Sequence, residues 1–274
     1  MKKILSYFLN SSAFIAARWN GSFAFRLLCR VKRTNIDKSP NKFLDQASSR
    51  VLQDGDYRAT LYTLGSGDRP ILLLHGWKSY SARWEQLINM LDLEKYTIYA
   101  IDAPAHGRSP GDSLNIEIYR RFMVQAIEDI GKLHAVIAHS LGGLVTAYAY
   151  LDNPQLAVDR FVITGAPAGM QSIYDFFKRV VGLNQKVIDN MNQHIAENVT
   201  KIPPLDITLA RFFTAIDKPV LVIHDETDRV CPIGYIKDAI PQGKIHAYYT
   251  KGLGHDLQDE TVYERTKQFL EDLA

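Results

Sequence analysis

Hydrophobic runs alternate with amphipathic stretches along most of the chain, from about residue 57 to its end. Residues 71–74 form a continuous apolar run, which is typical of a strand buried on both faces of a parallel sheet. Residues 113–130 carry apolar side chains at helical spacing and predict a helix. Strands that alternate with helices in this way predict an α/β fold, with a mostly parallel central sheet and helices on both faces.

The same patterns place the other elements. The predicted strands cover 57–64, 96–101, 135–138, 161–164, 219–223 and 245–249, and the predicted helices cover 81–91, 141–152, 233–239 and 257–270. Residues 34–46 are polar and contain a Ser-Pro-Asn sequence, so they predict a linker. We therefore expect a basic N-terminal helical segment with its linker over residues 1–46, followed by one domain over residues 47–274.

The sequence Ala138-His139-Ser140-Leu141-Gly142 lies between a predicted strand and a predicted helix. A serine on such a tight turn has its Oγ exposed, and the N–H groups that begin the next helix point to where an oxyanion would form. Strand and helix approach closely there, so small residues are needed at both ends of the turn. Gly142 is one, and Ala138 stands where the pattern G-x-S-x-G has glycine. The alternative is an ordinary strand–helix turn that contains a serine.

A serine nucleophile needs a general base, and the base needs a carboxylate that orients it. After a serine on a turn of this kind, the acid and then the histidine follow along the chain. Asp228 lies in the loop after the predicted strand 219–223, and His255 lies in a glycine-rich loop after the last strand. Asp225 and Glu226 are closer to the strand end, and we favour Asp228 because the loop must reach sideways to the histidine.

The remaining histidines near these segments are expected to be structural or supporting. His246 falls within the last predicted strand, and the side chain of His139 should point away from the nucleophile. His75 and His106 lie on loops at the same end of the sheet, where they suit a supporting role better than that of the base.

An oxyanion hole needs two main-chain donors, one from the residue after the nucleophile and one from the loop after the third strand. Leu141 supplies the first donor. Trp77 follows the apolar run 71–74 closely and is the candidate for the second. Because the donor is main-chain, the Trp77 side chain can also form a wall of the pocket.

Five segments together resemble the α/β-hydrolase-fold serine hydrolases. They are residues 75–77 (HGW), 102–109 (DAPAHGRS), 138–142 (AHSLG), 224–228 (HDETD) and 252–255 (GLGH). The second is similar to the family's D-x-P-G-H-G-x-S turn, with Ala105 in place of its first glycine. The resemblance implies the α/β-hydrolase fold with a helical lid inserted after the sixth strand, at about residues 167–217.

The resemblance also implies a serine hydrolase that cleaves small-molecule carboxylic esters of small to medium acyl size. Ser140 would be the nucleophile, His255 the base and Asp228 its orienting acid, with the oxyanion held by the N–H groups of Leu141 and Trp77. Neither a metal nor an organic cofactor is expected. Thioesterase, lipase-like and C–C hydrolase activities use the same triad and remain alternatives, as does a non-catalytic binding protein of this fold.

The predicted lid contains several aromatic residues at helix-like spacings that look exposed. They are Tyr174, Phe176, Phe177, Phe212 and Phe213. They could pack the lid onto the main domain, or some of them could line an apolar pocket for an acyl group. The sequence leaves both interpretations open.

The composition, 46% hydrophobic and 23% charged, is that of an ordinary globular protein, and the net charge of +2 gives no reason to expect a nucleic-acid partner. The charge is uneven, however. Of the chain's 32 Lys and Arg and 30 Asp and Glu, residues 1–38 contain eight and one, respectively. The two cysteines, Cys29 and Cys231, are too few for a disulfide framework and are compatible with a reducing compartment.

The first 30 residues are apolar and punctuated by Lys and Arg. They begin like a signal peptide, but polar residues 10–12 break the apolar run and the cleavage pattern is poor. We favour a basic helical segment that packs on its own domain, with a cleaved signal and a peripheral membrane contact as alternatives. The expected location is cytoplasmic, with membrane association or export as the alternatives.

Overall fold

The computed structural model describes residues 2–32, 41–241 and 245–272. Its strands are β1 (Ser48–Asp54), β2 (Tyr57–Leu64), β3 (Arg69–Leu74), β4 (Tyr96–Asp102), β5 (Leu133–His139), β6 (Val158–Thr164), β7 (Val220–Asp225) and β8 (His246–Thr250). Its α-helices are α1 (Lys2–Ser12), α2 (Ala17–Cys29), α3 (Lys42–Gln46), α4 (Glu85–Asn89), α5 (Ile116–Ile130), α6 (Leu141–Asp152), α7 (Met170–Val181), α8 (Gln185–Asn198), α9 (Leu209–Ala215), α10 (Gly234–Lys237) and α11 (Glu260–Glu271). Short 3₁₀ helices, Ser81–Trp84 and Pro204–Asp206, precede α4 and α9.

The strands form one sheet in the order β1-β2-β4-β3-β5-β6-β7-β8. The pairs β1–β2 and β2–β4 are antiparallel, and every pair from β4 to β8 is parallel. The predicted α/β fold with a mostly parallel sheet is therefore confirmed. Because β3 and β5 are neighbours at the centre, the loops that follow them meet at one edge of the sheet.

Alternate side chains of the central strands enter two different cores. Leu72 and Leu74 of β3 pack on the side of α5 and α6, whereas Ile71 and Leu73 pack on the side of α4 and α11. All four side chains are fully buried. Burial of each such side chain stabilises the fold by roughly 1.5–3 kcal/mol, which explains why this strand has no polar face.

The structure has a helix within the segment that was predicted to be a linker, residues 34–46, and a strand directly after it that was not predicted. Helix α3 occupies its last five residues, with Phe43 and Leu44 buried and the Asn41 Oδ1 accepting the Leu44 N–H at 2.9 Å. Strand β1 follows, with only Leu52 buried, so it lacks the alternation that would predict a strand. Such short or edge elements form through tertiary contacts. Residues 34–40 of the predicted linker lie outside the described residues.

Several predicted helices are shorter than the sequence pattern indicated. The predicted helix 81–91 begins as a 3₁₀ turn, and the predicted helix 233–239 retains only α10. The last helix begins at Glu260, because Leu257 has φ of 52° and the Asp259 side chain caps the helix through the Thr261 N–H at 3.0 Å. The pattern of apolar residues extends past each helix end because loop residues are also buried.

The N-terminal helices α1 and α2 pack against α8, which lies between β6 and β7. A Cβ on Gly21 would lie 2.2 Å from the carbonyl oxygen of Asn190, so the two helices cross where only glycine fits. The buried Asn20 Nδ2 donates to the Leu9 carbonyl at 2.8 Å, and the buried Asn190 Nδ2 donates to the Ala13 carbonyl at 2.9 Å. These bonds pair polar groups that would otherwise be costly to bury.

Helices α7, α8 and α9 make up most of the segment between β6 and β7. Of its aromatic residues, Tyr174, Phe212 and Phe213 are buried, contrary to their exposed-looking sequence pattern. Phe212 packs edge-on against Tyr150 and Phe161 of the main domain. The packing interpretation therefore applies to these three residues.

A membrane-spanning helix is not found among the described residues: none of their helices is both long and apolar enough to cross a bilayer.

Candidate active site

Ser140 lies on a strained turn between β5 and α6. Its φ of 52° and ψ of −120° place a non-glycine residue in a backbone conformation that is rarely populated. A Cβ on Gly142 would lie 2.8 Å from the Leu74 carbonyl oxygen, so the turn requires glycine two residues after the serine. The surrounding packing holds the strained turn and fixes the direction of the Ser140 side chain.

The structure brings together the three residues that the sequence singled out. The Nε2 of His255 lies 2.9 Å from the Ser140 Oγ, and its Nδ1 lies 2.8 Å from the Asp228 Oδ2. A carboxylate can only accept, so Nδ1 carries the proton of a neutral imidazole and Nε2 accepts the Ser140 O–H. This arrangement can take a proton from the serine hydroxyl.

The Asp228 carboxylate is buried and fixed by main-chain donors. Its Oδ1 accepts the N–H groups of Val230 at 2.8 Å and Cys231 at 2.9 Å, which leaves Oδ2 for His255. Burial alone would raise the pKa of Asp228, but the hydrogen bonds from His255, Cys231 and Val230 outweigh it and lower that pKa. The group therefore stays ionised beside the histidine.

His224 also lies beside Asp228, with its Nε2 3.5 Å from the Oδ2. That nitrogen donates to the Cys231 carbonyl at 2.6 Å, and burial lowers the pKa of His224. A neutral His224 adds no positive charge near the carboxylate. The sequence predicts no role for His224, although the residue begins the segment 224–228 that carries part of the family resemblance.

Asp225 supports the histidine loop and does not contact His255 itself. Its carboxylate accepts from the Leu253 N–H at 2.9 Å, the Thr250 hydroxyl at 2.8 Å and the Thr227 N–H at 2.8 Å. Burial opposes ionisation, but these hydrogen bonds prevail and lower the pKa of Asp225. It therefore joins the ends of β7 and β8, which is why it is not free to serve as the acid partner.

The other histidines have structural contacts. The His139 Nε2 lies 2.8 Å from the carbonyl oxygen of His255, so His139 holds the histidine loop. His75 accepts the Ala103 N–H at Nε2, and burial lowers the pKa of both histidines well below the usual value. His246 lies exposed on the edge strand β8.

The loop after β3 packs directly against the nucleophile. A Cβ on Gly76 would lie 2.7 Å from the Ser140 Cβ and 3.2 Å from its Oγ. The main chain that leads to Trp77 therefore passes within contact of the serine. Among the described residues, we find no protein acceptor for the main-chain N–H of Trp77 or of Leu141.

The buried carboxylate of Asp102 orders the loop after β4. It accepts the Ser81 N–H at 2.7 Å, the Arg108 N–H at 2.8 Å and the Tyr62 hydroxyl at 2.9 Å. Ala105, which replaces a glycine of the family pattern, has φ of 66°, a conformation that glycine adopts without strain.

A cavity of about 540 Å³ is lined by Ser140 and His255. Its walls are mainly apolar and come from three parts of the chain. They include Phe25 and Leu28 of α2, Trp77, and Ile173, Phe176 and Phe177 of α7. The volume is in the ordinary range for a small-molecule site. Sequence reasoning missed the contribution of α2, because nothing local predicts that a segment over 100 residues away reaches the serine.

Among the described residues, Asp228, Cys231 and His255 form a group whose donor atoms lie within 4.8 Å of one another, close enough to hold a metal ion. Two of them are already joined by the hydrogen bond that orients the imidazole, and burial raises the pKa of the Cys231 thiol. A buried neutral thiol is a poor metal ligand. We therefore interpret this cluster as a hydrogen-bonded histidine–carboxylate pair beside a buried thiol, not as a metal site.

A model of the alpha/beta hydrolase family matches residues 71–267, a range that contains Ser140, Asp228 and His255. The chain belongs to the alpha/beta hydrolase family. The resemblance that the motifs indicated, and the α/β-hydrolase fold that it implied, are thus confirmed.

This alpha/beta hydrolase is similar to the pimeloyl-[acyl-carrier protein] methyl ester esterase of Edwardsiella ictaluri (strain 93-146). The two are 32% identical over 108 residues, and the match covers 39% of this chain and 40% of that relative. It is 30% identical over 138 residues to the protein of the same name from Proteus mirabilis (strain HI4320), covering 50% and 49%. The chain thus spans about half or less of the length of the curated relatives that it matches.

Among solved structures, an esterase of Pyrococcus furiosus superposes with a TM-score of 0.64 at 16% identity, covering 88% of this chain and 96% of that one. At this low identity the likeness shows the shared fold.

Proposed function

We propose that this alpha/beta hydrolase is a serine esterase, with Ser140 as nucleophile, His255 as general base and Asp228 as the orienting carboxylate. The observation that carries the proposal is the continuous hydrogen-bonded series from Asp228 through His255 to Ser140, at 2.8 and 2.9 Å. Those distances suit proton transfer from the hydroxyl to the imidazole. The naming of two relatives as methyl ester esterases also supports ester hydrolysis.

In this mechanism the Ser140 Oγ attacks the ester carbonyl carbon while its proton passes to the His255 Nε2. The carbonyl oxygen becomes an oxyanion, which accepts hydrogen bonds from the N–H groups of Trp77 and Leu141. The bond to the alcohol oxygen then breaks, and the imidazolium protonates that oxygen. Asp228 stabilises the imidazolium and keeps the proton on Nδ1.

The covalent acyl group on Ser140 is released by water. Water gives a proton to the His255 Nε2 as its oxygen attacks the acyl carbon, and the same proton returns to the Ser140 Oγ when the bond to the enzyme breaks. The products are one alcohol and one carboxylic acid, and the enzyme is regenerated. No residue changes its oxidation state in this sequence.

The cavity supports a substrate with an apolar acyl group of small to medium size. Its walls are apolar next to the serine, and its volume of about 540 Å³ fits a compact acyl chain with its alcohol. We also propose that residues 167–217 serve as a lid, because α7 from this segment supplies one wall of the cavity.

The test is hydrolysis of p-nitrophenyl butyrate and octanoate, together with labelling by a fluorophosphonate probe. Ser140→Ala should lose labelling and at least about 10³-fold in kcat. Ser172→Ala is the matched control, since Ser172 lines the same cavity and, in the part of the chain that the structure describes, makes no hydrogen bond to a histidine like that of Ser140. It should retain both labelling and turnover.

Labelling without turnover of either ester would still support an activated serine, but it would favour thioesters or C–C bonds as the bonds that are cleaved. Neither labelling nor turnover in the folded wild-type protein would favour a non-catalytic binding protein.

A further inference from the structure

Large apolar side chains are exposed on the outer face of α1, on the turn that follows it, and on α2. We call this group the N-terminal patch: Ile4, Tyr7, Phe8, Phe14, Ile15 and Trp19. Phe14 and Ile15 at the turn are 72% and 87% exposed. Single exposed apolar residues are ordinary on protein surfaces, but six large ones within 16 residues are an unusual concentration of exposed apolar surface.

Two aromatic residues of the patch contact each other, and one of them stacks on a neighbouring ring of α2. The rings of Phe8 and Trp19 lie 5.6 Å apart edge to face, and Trp19 stacks on Phe23 with centroids 5.0 Å apart. Aromatic rings of this kind are enriched where proteins meet the boundary between lipid and water.

The mouth of the cavity has an apolar rim of its own. Phe176, Val180 and Val230 line the cavity and are each more than a third exposed, at 41%, 45% and 43%. Phe25 and Leu28 of α2 line the same cavity, so one helix contributes to both the cavity wall and the N-terminal patch.

Hydrogen bonds fix the patch relative to this rim. The Asn10 Nδ2 of α1 donates to the Gly182 carbonyl at the end of α7, at 3.0 Å. The Asn10 Oδ1 accepts the Asn184 N–H at 2.8 Å. Helix α1 and the rim-forming helix α7 are therefore held together.

The N-terminal segment that carries the patch has charges of a single sign. Residues 1–36 contain no Asp or Glu. Exposed cations lie beside the patch (Lys3, Arg18, Arg26) and at the cavity mouth (Arg30, Lys32, Lys78), and none of the described residues that line the cavity is acidic. An apolar surface bordered by cations complements a lipid surface with anionic headgroups. A second copy of the chain would bring the same positively charged N-terminal segment to this surface, and like charges disfavour such a contact.

We propose that the N-terminal patch and the cavity rim dock together on an anionic lipid bilayer, with the cavity mouth facing the lipid. An ester dissolved in the bilayer could then reach Ser140 through an apolar opening without passing through water. Docking rests on the patch and its charge alone, whereas the identity of the lipid-borne substrate as an ester rests on the proposed function.

The test is flotation with vesicles of phosphatidylcholine containing 30% phosphatidylglycerol, compared with vesicles of pure phosphatidylcholine. The double variant Phe14→Ser/Ile15→Ser removes the two apolar side chains at the turn after α1, which lie outside the cavity. The matched control is Val51→Ser, which removes an exposed apolar side chain from the edge strand β1. Deletion of the N-terminal helices is unsuitable, because α2 forms part of the cavity wall.

We expect the full-length wild type and Val51→Ser to bind the anionic vesicles, with at least tenfold weaker binding to the neutral vesicles. The double variant should lose at least tenfold in binding to the anionic vesicles while hydrolysing soluble p-nitrophenyl butyrate like the wild type. Failure of the wild type to bind, or equal binding by the double variant, would overturn the proposal.

A dimer in light scattering that the double variant abolishes, without vesicle binding, would assign the patch to self-association instead. Ser140→Ala separates the two proposals, because it should float like the wild type whether or not the protein is an esterase.

Discussion

Replacing Asp228 with asparagine should disable the base while leaving its position almost unchanged. The Asp228 Oδ1 accepts two main-chain N–H groups, from Val230 and Cys231. Asparagine has one acceptor oxygen, so that oxygen must face these donors and the NH₂ group must face the His255 Nδ1. The asparagine NH₂ group and a protonated Nδ1 are both donors and cannot form a hydrogen bond with each other. The imidazole must therefore carry its proton on Nε2 and accept a hydrogen bond at Nδ1. A protonated Nε2 cannot take the proton of Ser140.

The size of the effect follows from the role of the carboxylate. An Asp→Asn change that imposes the wrong imidazole tautomer in such a triad lowers kcat by about 10⁴-fold. At about 1.36 kcal/mol per tenfold, this is roughly 5 kcal/mol of transition-state stabilisation. The loss of one charged hydrogen bond should cost only about 1.5–3 kcal/mol of folding free energy.

The assay is steady-state hydrolysis of p-nitrophenyl butyrate at pH 8, with urea unfolding of the same preparations. Glu226→Gln is the matched control, because this acid lies two residues earlier and forms an exposed ion pair with Lys237 at 2.9 Å. It should keep wild-type turnover. Turnover by folded Asp228→Asn within tenfold of the wild type would refute the assignment of Asp228 and the tautomer argument with it.

Two further predictions concern the supports of the site. In Gly76→Ala the new Cβ would lie 2.7 Å from the Cβ of Ser140, so displacement of the nucleophile should lower kcat about 100-fold. The control Gly234→Ala should leave kcat unchanged, because a Cβ at that position would have no atom within 4 Å. Fluorophosphonate labelling rates check both; equal rates for Gly76→Ala and the wild type would contradict the contact. Asp225→Asn should lower the unfolding free energy by about 3 kcal/mol at pH 7. Because folding lowers the pKa of Asp225, its carboxylate contributes to the free energy of unfolding above the ordinary pKa of 3.8, and this contribution is lost as the pH falls through the pKa of the folded state. The difference in unfolding free energy between the wild type and Asp225→Asn, measured with urea, should therefore be smaller at about pH 3 than at pH 7. An equal difference at the two pH values would contradict this prediction.

The order of the strands from β2 to β8, and candidates for the residues of the site, could be predicted from the sequence alone. Continuous apolar runs mark strands such as β3, because a strand buried on both faces has no polar positions. Ser140, Asp228 and His255 follow strands β5, β7 and β8, whose carboxyl ends meet at one edge of a parallel sheet. Local pattern and chain order are enough for that inference.

Only the tertiary structure decided which groups contact one another. Asp225 and Asp228 are three residues apart in the chain and chemically alike, but main-chain donors from the Leu253 loop engage one and leave the other for His255. The N-terminal helix α2 became a wall of the cavity because Gly21 allows it to cross α8 closely. Such contacts join distant parts of the chain through shape and hydrogen-bond geometry, and neither is encoded in the periodicity of a short segment.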